Sequence, residues 1–381
     1  MSGQSILQIV GDGIAGNWIT WRWADGGLGV AEVRGLESIS NRFRDALPTG
    51  PQGLSLDGEL TNPEREAELM AALADVLLPP RLRAEILAGT ESGTPLHIRV
   101  APTPLAAAVP WGLLPLDAER RLLDVADISW IAPVLPRDVV DAAPPAPVDG
   151  ATSLHVIDPD QRLGRVLTEA DRSVLGTRAA GRKIVGESFG AADMSAELRA
   201  GASRLLFVGH CVRSGPAATA GLVLSDVDRW TPDPLTAQEL IADPDRWPMP
   251  PRVAVLACAS GADLTDYEPF GLATALLHNG ADTVHATLWT LPTDRAFALQ
   301  GVPGPVLLPM ALAFDEAQTA ADPVSALCAW QRRQLRRWRD EPSLGTSPLV
   351  WGAALTMTAP RERHRKKQSP GPVSDDTDPS M

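Results

Sequence analysis

From residue 153 onward, short apolar runs alternate with amphipathic stretches at the spacing of a strand–helix repeat. The runs "SLHVI" (153–157), "KIVGE" (183–187), "RLLFV" (204–208), "RVAVL" (252–256) and "DTVHATLW" (282–289) carry almost no polar alternation. Runs of that length predict strands buried on both faces, as in a parallel sheet covered by helices. Between them "QRLGRVLTEADRSVLGTRAAG", "DMSAELRAGA" and "YEPFGLATALLHNG" predict helices, with Gly181 and Gly280 closing the first and the last. A longer helix is predicted over "DPVSALCAWQRRQLRRW", capped by Asp322 with Pro323 in its first turn, and a closing strand over "SPLVWGAALTM". The fold class implied is α/β, a mostly parallel sheet flanked by helices.

The first 140 residues follow a different pattern. Segments of period two, "SILQIV", "NWITWRW" and "LGVAEVR", are separated by two Asp-Gly turn signals and predict strands and hairpins. A helix is predicted over 63–78, with Asn62 as cap, Pro63 in its first turn and Pro79–Pro80 as its stop. "PLHIRVAP" then predicts a further strand. The Pro/Ala-rich stretch "DAAPPAPVDG" (141–150) predicts a linker, dividing an N-terminal β-rich α+β region (1–140) from an α/β domain (151–358). The tail 359–381, "RERHRKK" followed by "DDTD", has no apolar pattern and predicts disorder.

The hexapeptide "GDGIAG" (11–16) matches the dinucleotide fingerprint G-x-G-x-x-G, and Glu32 lies at a fitting distance downstream. A pyrophosphate site needs a helix to begin at that loop. The tryptophan-rich "NWITWRW" instead has strand period, so the motif is a hairpin, and nucleotide binding is set aside.

Charge narrows the field further. A net charge of −13 over 381 residues argues against a nucleic-acid partner. No run approaches the ~18 apolar residues of a membrane span, and the N-terminus shows no signal-peptide pattern. Three cysteines make no disulfide framework and suit a reducing cytoplasm.

Within that frame one juxtaposition carries chemistry. "LLFVG" ends in His210, and "VAVLA" ends in Cys258. If the two strands are neighbours, both residues emerge at the carboxyl rim of the sheet, where reactive groups collect. An imidazole there can form and hold a thiolate nucleophile. The small residues after Cys258, "ASG", leave room for backbone N–H groups facing an oxyanion. Taken singly, each residue is better explained as part of the core; it is the pair, each followed by a Gly-containing loop, that suggests a cysteine peptidase. No C-x-x-C or H-x-x-x-H spacing supports a metal site. The "RRQLRRWR" stripe suits a solvated helix end. Cys328 and His285 fall at core positions. Asp158, at the end of its strand, would select Arg or Lys at P1 if it faced substrate, or serve as a turn or capping residue before Pro159. Asp263 and Asp266 compete for the P1 role.

Six blocks, in order, resemble the CHAT family of caspase-like, separase-related cysteine peptidase modules: "VPWGLLPL", "VIDPD" with "LTEA", "LLFVGHC", "VLACASG", "FGLATALLHNGADTVHATLWTLPTD" and "SPLVWGAALT". The resemblance spans about Leu96 to Met357. It implies a caspase-like α/β fold, His210 and Cys258 as the dyad, and backbone N–H groups at Cys211 and Cys258 forming the oxyanion site. It also implies cleavage of protein substrates with no metal or organic cofactor, and control by a protein partner in a defence or cell-death circuit. Where the family commonly has Gly-His-Gly, this chain has Gly209-His210-Cys211. The alternative is a catalytically silent scaffold of the same fold that binds a regulator.

Overall fold

The computed structural model describes residues 4–12, 16–47, 56–90, 96–132, 152–160, 164–186, 188–212, 219–225, 233–257, 271–289 and 291–359. The chain opens with β1 (Gln4–Asp12), β2 (Gly16–Arg22) and β3 (Leu28–Val33), an antiparallel meander. A strand therefore follows "GDGIAG", as its periodicity predicts. At the β2–β3 turn, Gly26 adopts φ +98°, a conformation that strains most other residues. The helix Pro63–Leu77 begins as expected, with Asn62 Oδ1 accepting from Arg65 N–H at 3.0 Å. The helix Pro80–Thr90 follows. Its Glu85 accepts from the indole N–H groups of Trp21 and Trp23 at 2.6 and 2.5 Å, tying the helix to β2.

Next come β4 (Leu96–Ala101), β5 (Ala126–Ile131), β6 (Ser153–Ile157), β7 (Arg182–Val185) and β8 (Arg204–Val208). Three short strands, β9 (Cys211–Val212), β10 (Gly221–Leu224) and β11 (Asp233–Thr236), form a separate antiparallel sheet. The chain returns to the main sheet in β12 (Arg252–Leu256), β13 (Thr283–Thr287) and β14 (Ala354–Thr358).

The main sheet has eleven strands in the order β3-β2-β1-β4-β5-β14-β13-β12-β8-β6-β7. Its pairs are parallel except β1–β2, β2–β3 and β13–β14. Every residue of β6, β8, β12 and β13 is buried, as their continuous apolar runs require.

One difference from the expected plan is large. β14 lies between β5 and β13, so the regions expected to be separate, 1–140 and 151–358, share one sheet and one apolar core. Joining them covers two strand edges that would otherwise offer unpaired backbone groups. The stretch 141–150 and the tail beyond 359 lie outside the described residues.

Smaller differences have local causes. The described helix before β7 is short, Glu169–Gly176, and is capped by Thr168, whose hydroxyl accepts from Asp171 N–H at 3.2 Å. Gly181 is not its cap. A Cβ at Gly181 would lie 2.7 Å from the Ser153 carbonyl oxygen, so the glycine lets the chain enter β7 close against β6. The expected closing strand divides into a helical turn, Pro348–Trp351, and β14. The Pro-rich segment before residue 320 hides a helix, Leu308–Thr319. Two buried arginines at strand starts reach it: Arg252 donates to Gln318 O at 2.7 Å, and Arg204 pairs with Asp315.

Candidate active site

β8 runs between β6 and β12, parallel to both. The register sets Val208 beside Leu256 on one side and Ile157 on the other. Asp158, Gly209 and Ala257 therefore leave the sheet together at its carboxyl rim. Short bonds hold the three exits: Asp158 N donates to Val208 O at 2.7 Å, Gly209 N to Leu256 O at 3.2 Å, and Thr287 Oγ1 to Ala257 O at 2.5 Å. Gly209 has little room for a side chain, since a Cβ would sit 3.0 Å from the Phe207 ring and 3.3 Å from Pro159 Cδ.

His210 follows on this rim, half-buried. Its Nε2 lies 2.5 Å from the carbonyl oxygen of Gly164. A carbonyl can only accept, so Nε2 carries the ring proton and Nδ1 is the basic nitrogen. The backbone at His210 is gripped from the small sheet, its carbonyl accepting from Val223 N at 2.9 Å. A small cleft opens beside the imidazole, lined by Val166, Gly209, Leu256, Ala257, Leu291, Thr293 and Leu307. Apolar walls of this kind exclude water and strengthen any charge interaction inside.

Cys258 is bonded to Ala257, but it and the competing acids Asp263 and Asp266 lie outside the described residues. Cys211 sits half-buried on β9, opposite Leu222 of β10.

The structure places Asp158 differently from a residue open to substrate. It is buried, at φ +48°, and its two oxygens accept from the backbone N–H groups of Val166 at 3.0 Å and Leu167 at 3.4 Å. Arg172 Nε stands 3.8 Å from Oδ2. Burial raises the carboxyl above its ordinary range, against the lowering pull of those amides, of Arg172 and of His210.

A second acid beside the cleft was not singled out from the sequence. Asp294 directly follows the cleft residue Thr293, and its Oδ1 accepts from Val306 and Leu307 N–H, both at 2.9 Å. Its Oδ2 is buried and meets no hydrogen-bond partner among the described residues. Burial, with the nearby charge of Asp171, raises this carboxyl as well. The available signal was the segment "LWTLPTD" itself, whose only acid is Asp294.

The residues read as core are core. His285 is buried, bonded through Nδ1 to Thr356 Oγ1 at 3.0 Å, and burial lowers its pKa to about 3. Cys328 is buried against Ile128, and burial raises its thiol to about 12. In the basic stripe, Arg332 and Arg339 are engaged with Asp127 and Asp124. Among the described residues no group of three metal-binding side chains occurs, and no helix is long and apolar enough to cross a membrane.

Taken together, the strand order and the helices on the sheet define an α/β domain with a mostly parallel sheet. The CHAT domain family model matches residues 67–358, across both sides of the expected linker, and the chain belongs to that family. Two crystal structures of the Saccharomyces cerevisiae separase–securin complex are similar at 10% identity, with TM-scores of 0.48 and 0.40. In each case the match covers 94% of this chain and 30% of the other, so the chain spans under a third of those structures' length. A search of curated proteins finds no match.

Proposed function

We propose that the protein is a cysteine endopeptidase in which His210 is the base and Cys258 the nucleophile. The observation that carries this reading is the β8–β12 register. It sets Val208 beside Leu256, and His210 and Cys258 each follow two residues on. The proton on Nε2, held by Gly164, leaves Nδ1 to take the thiol proton. The thiolate then attacks the scissile carbonyl, the imidazolium returns the proton to the leaving amine, and water releases the acyl group. Backbone N–H groups at Cys258 and Cys211 are proposed to hold the oxyanion.

Substrate choice follows from the acids. Asp158 has both oxygens engaged by backbone amides, whereas Asp294, next in sequence to the cleft residue Thr293, has a buried oxygen that meets no partner among the described residues. An arginine or lysine at P1 would supply that partner, so the reading is cleavage after Arg or Lys, with Asp294 at the base of the subsite and Asp263 as the second candidate. Asp294→Asn is expected to lower kcat/KM for P1 Arg peptides by about 100-fold, the order expected when a buried charge pair loses one member. A panel of P1 Arg, Lys, Gln and Leu substrates checks it; an unchanged Arg preference would move the role to Asp263.

The setting proposed is a cytoplasmic defence or cell-death circuit with a regulatory protein partner. Trp18, Leu28 and Val30, exposed on the β2–β3 edge of the sheet, offer such a partner an apolar face. A peptide probe carrying P1 Arg and a thiol-reactive warhead tests the core reading. Stoichiometric labelling at Cys258, lost in His210→Ala, supports a peptidase; a folded protein that resists the probe and cuts no substrate in a peptide library is the silent scaffold.

A further inference from the structure

We infer that Asp158 is a positioning residue for His210, acting through the loop that carries Gly164. The inference rests on His210 being the base of the proposed peptidase, and it assigns Asp158 a task other than substrate contact.

Among the described residues the imidazole is steered by one carbonyl, that of Gly164, at 2.5 Å from Nε2. Gly164 belongs to no strand or helix, and a carbonyl on an unsupported loop gives little orientation. Two and three residues further on, the amides of Val166 and Leu167 are fastened to the carboxylate of Asp158 at 3.0 and 3.4 Å. Asp158 is itself fastened to the strand that delivers the histidine, its N–H donating to Val208 O at 2.7 Å, two residues before His210. A closed circuit results: β8 holds Asp158, Asp158 holds the loop, and the loop carbonyl holds the ring that leaves β8.

The backbone at Asp158 is consistent with a position fixed by this task. It is the one described non-glycine residue at positive φ, +48°. Asp and Asn tolerate that region better than other side chains, and such outliers persist where the surroundings over-determine them. Arg172 stands behind the carboxylate at 3.8 Å from Oδ2. Asp158 is buried and turns both oxygens to the amides of this loop.

Two variants of the full chain separate the possibilities. Asp158→Gly accepts φ +48° without strain and removes the carboxylate; Asp158→Asn keeps one acceptor oxygen. Activity is measured as kcat per active site titrated with the peptide probe, so that a loss of folded protein does not count as a loss of rate. The expected result is a fall in kcat of about 100-fold for Asp158→Gly, the order caused by an ångström of misplacement, with a smaller fall for Asp158→Asn and KM nearly unchanged. The second readout needs no turnover. Ring 15N shifts of His210 should report the Nε2–H tautomer in the parent protein and a mixture of tautomers in Asp158→Gly. A parent protein without peptidase activity would defeat the proposed function while leaving the tautomer test standing. Unchanged tautomer and unchanged kcat in Asp158→Gly would overturn the inference. So would a change confined to KM and to P1 Arg preference, which would mean that Asp158 reads substrate.

Discussion

Cys258→Ala is expected to abolish peptide cleavage, by about 10⁴-fold or more in kcat, with no loss of folded protein. His210→Ala should do nearly as much, because a thiol deprived of its base is a few per cent thiolate at neutral pH. The two losses should not add: the double variant should be no worse than either single one, since base and nucleophile act as a unit. Cys211 supplies the contrast. It lies on β9, beyond the histidine, and successive residues on a strand point to opposite faces. Cys211→Ala should keep activity, and Cys211→Gly should keep or raise it by widening the loop after the histidine. Active-site titration with the covalent probe checks all of these. A dead Cys211→Ala beside a working Cys258→Ala would reverse the assignment of nucleophile.

How much of this was legible in the chain depended on the range of the interactions concerned. β6, β8, β12 and β13 were legible because a strand buried on both faces is apolar at most positions rather than at every second one, and that pattern is local. The rim was legible at two of them: the first polar residue after the run, Asp158 or His210, marks where the strand leaves the core. The helix Leu308–Thr319 was obscured by Pro303, Pro305 and Pro309, although Pro309 suits a first turn. The strands β9 to β11 were passed over because runs of two and four residues are too short to show a period.

The union of the two halves could not be seen locally. The pairing of β14 with β5 joins residues more than 200 positions apart, and neither strand carries a mark of its partner. The site divides along the same line. His210 could be singled out because it ends a buried run, a local mark. The engagement of Asp158 and of Asp294 depends on amides at 166–167 and 306–307, supplied by loops whose paths no periodicity encodes.

The largest stability effect is expected far from the rim, at Asp315. This carboxylate is buried on the helix Leu308–Thr319 and pairs with Arg204 at the start of β8; Arg178 Nε stands 2.9 Å away and His155 Nε2 3.2 Å away. Arg204 is itself buried. Replacing one member of such a pair leaves the other charge without compensation, so Asp315→Leu should cost ~3–5 kcal/mol, read as a fall in denaturant midpoint at constant slope. Arg204→Met combined with Asp315→Leu should recover most of that loss, because the penalty comes from the orphaned charge rather than from the missing attraction. The sign with pH follows from the carboxyl. Burial raises its pKa, but His155, Arg178 and Arg204 outweigh burial and lower it from the ordinary 3.8 to about 2. Between those values the unfolded chain binds the proton and the native one does not. The contribution is therefore complete above about pH 4 and is lost as pH falls toward 2. Asp158 and Asp294, whose carboxyls are raised, act in the opposite sense and favour the native state as they gain protons. Acid unfolding of the parent should thus be steep below pH 4, and that limb should flatten in the double variant. An Asp315→Leu protein as stable as the parent, or an unchanged acid limb in the double variant, would show that the cluster does not hold the helix to the sheet.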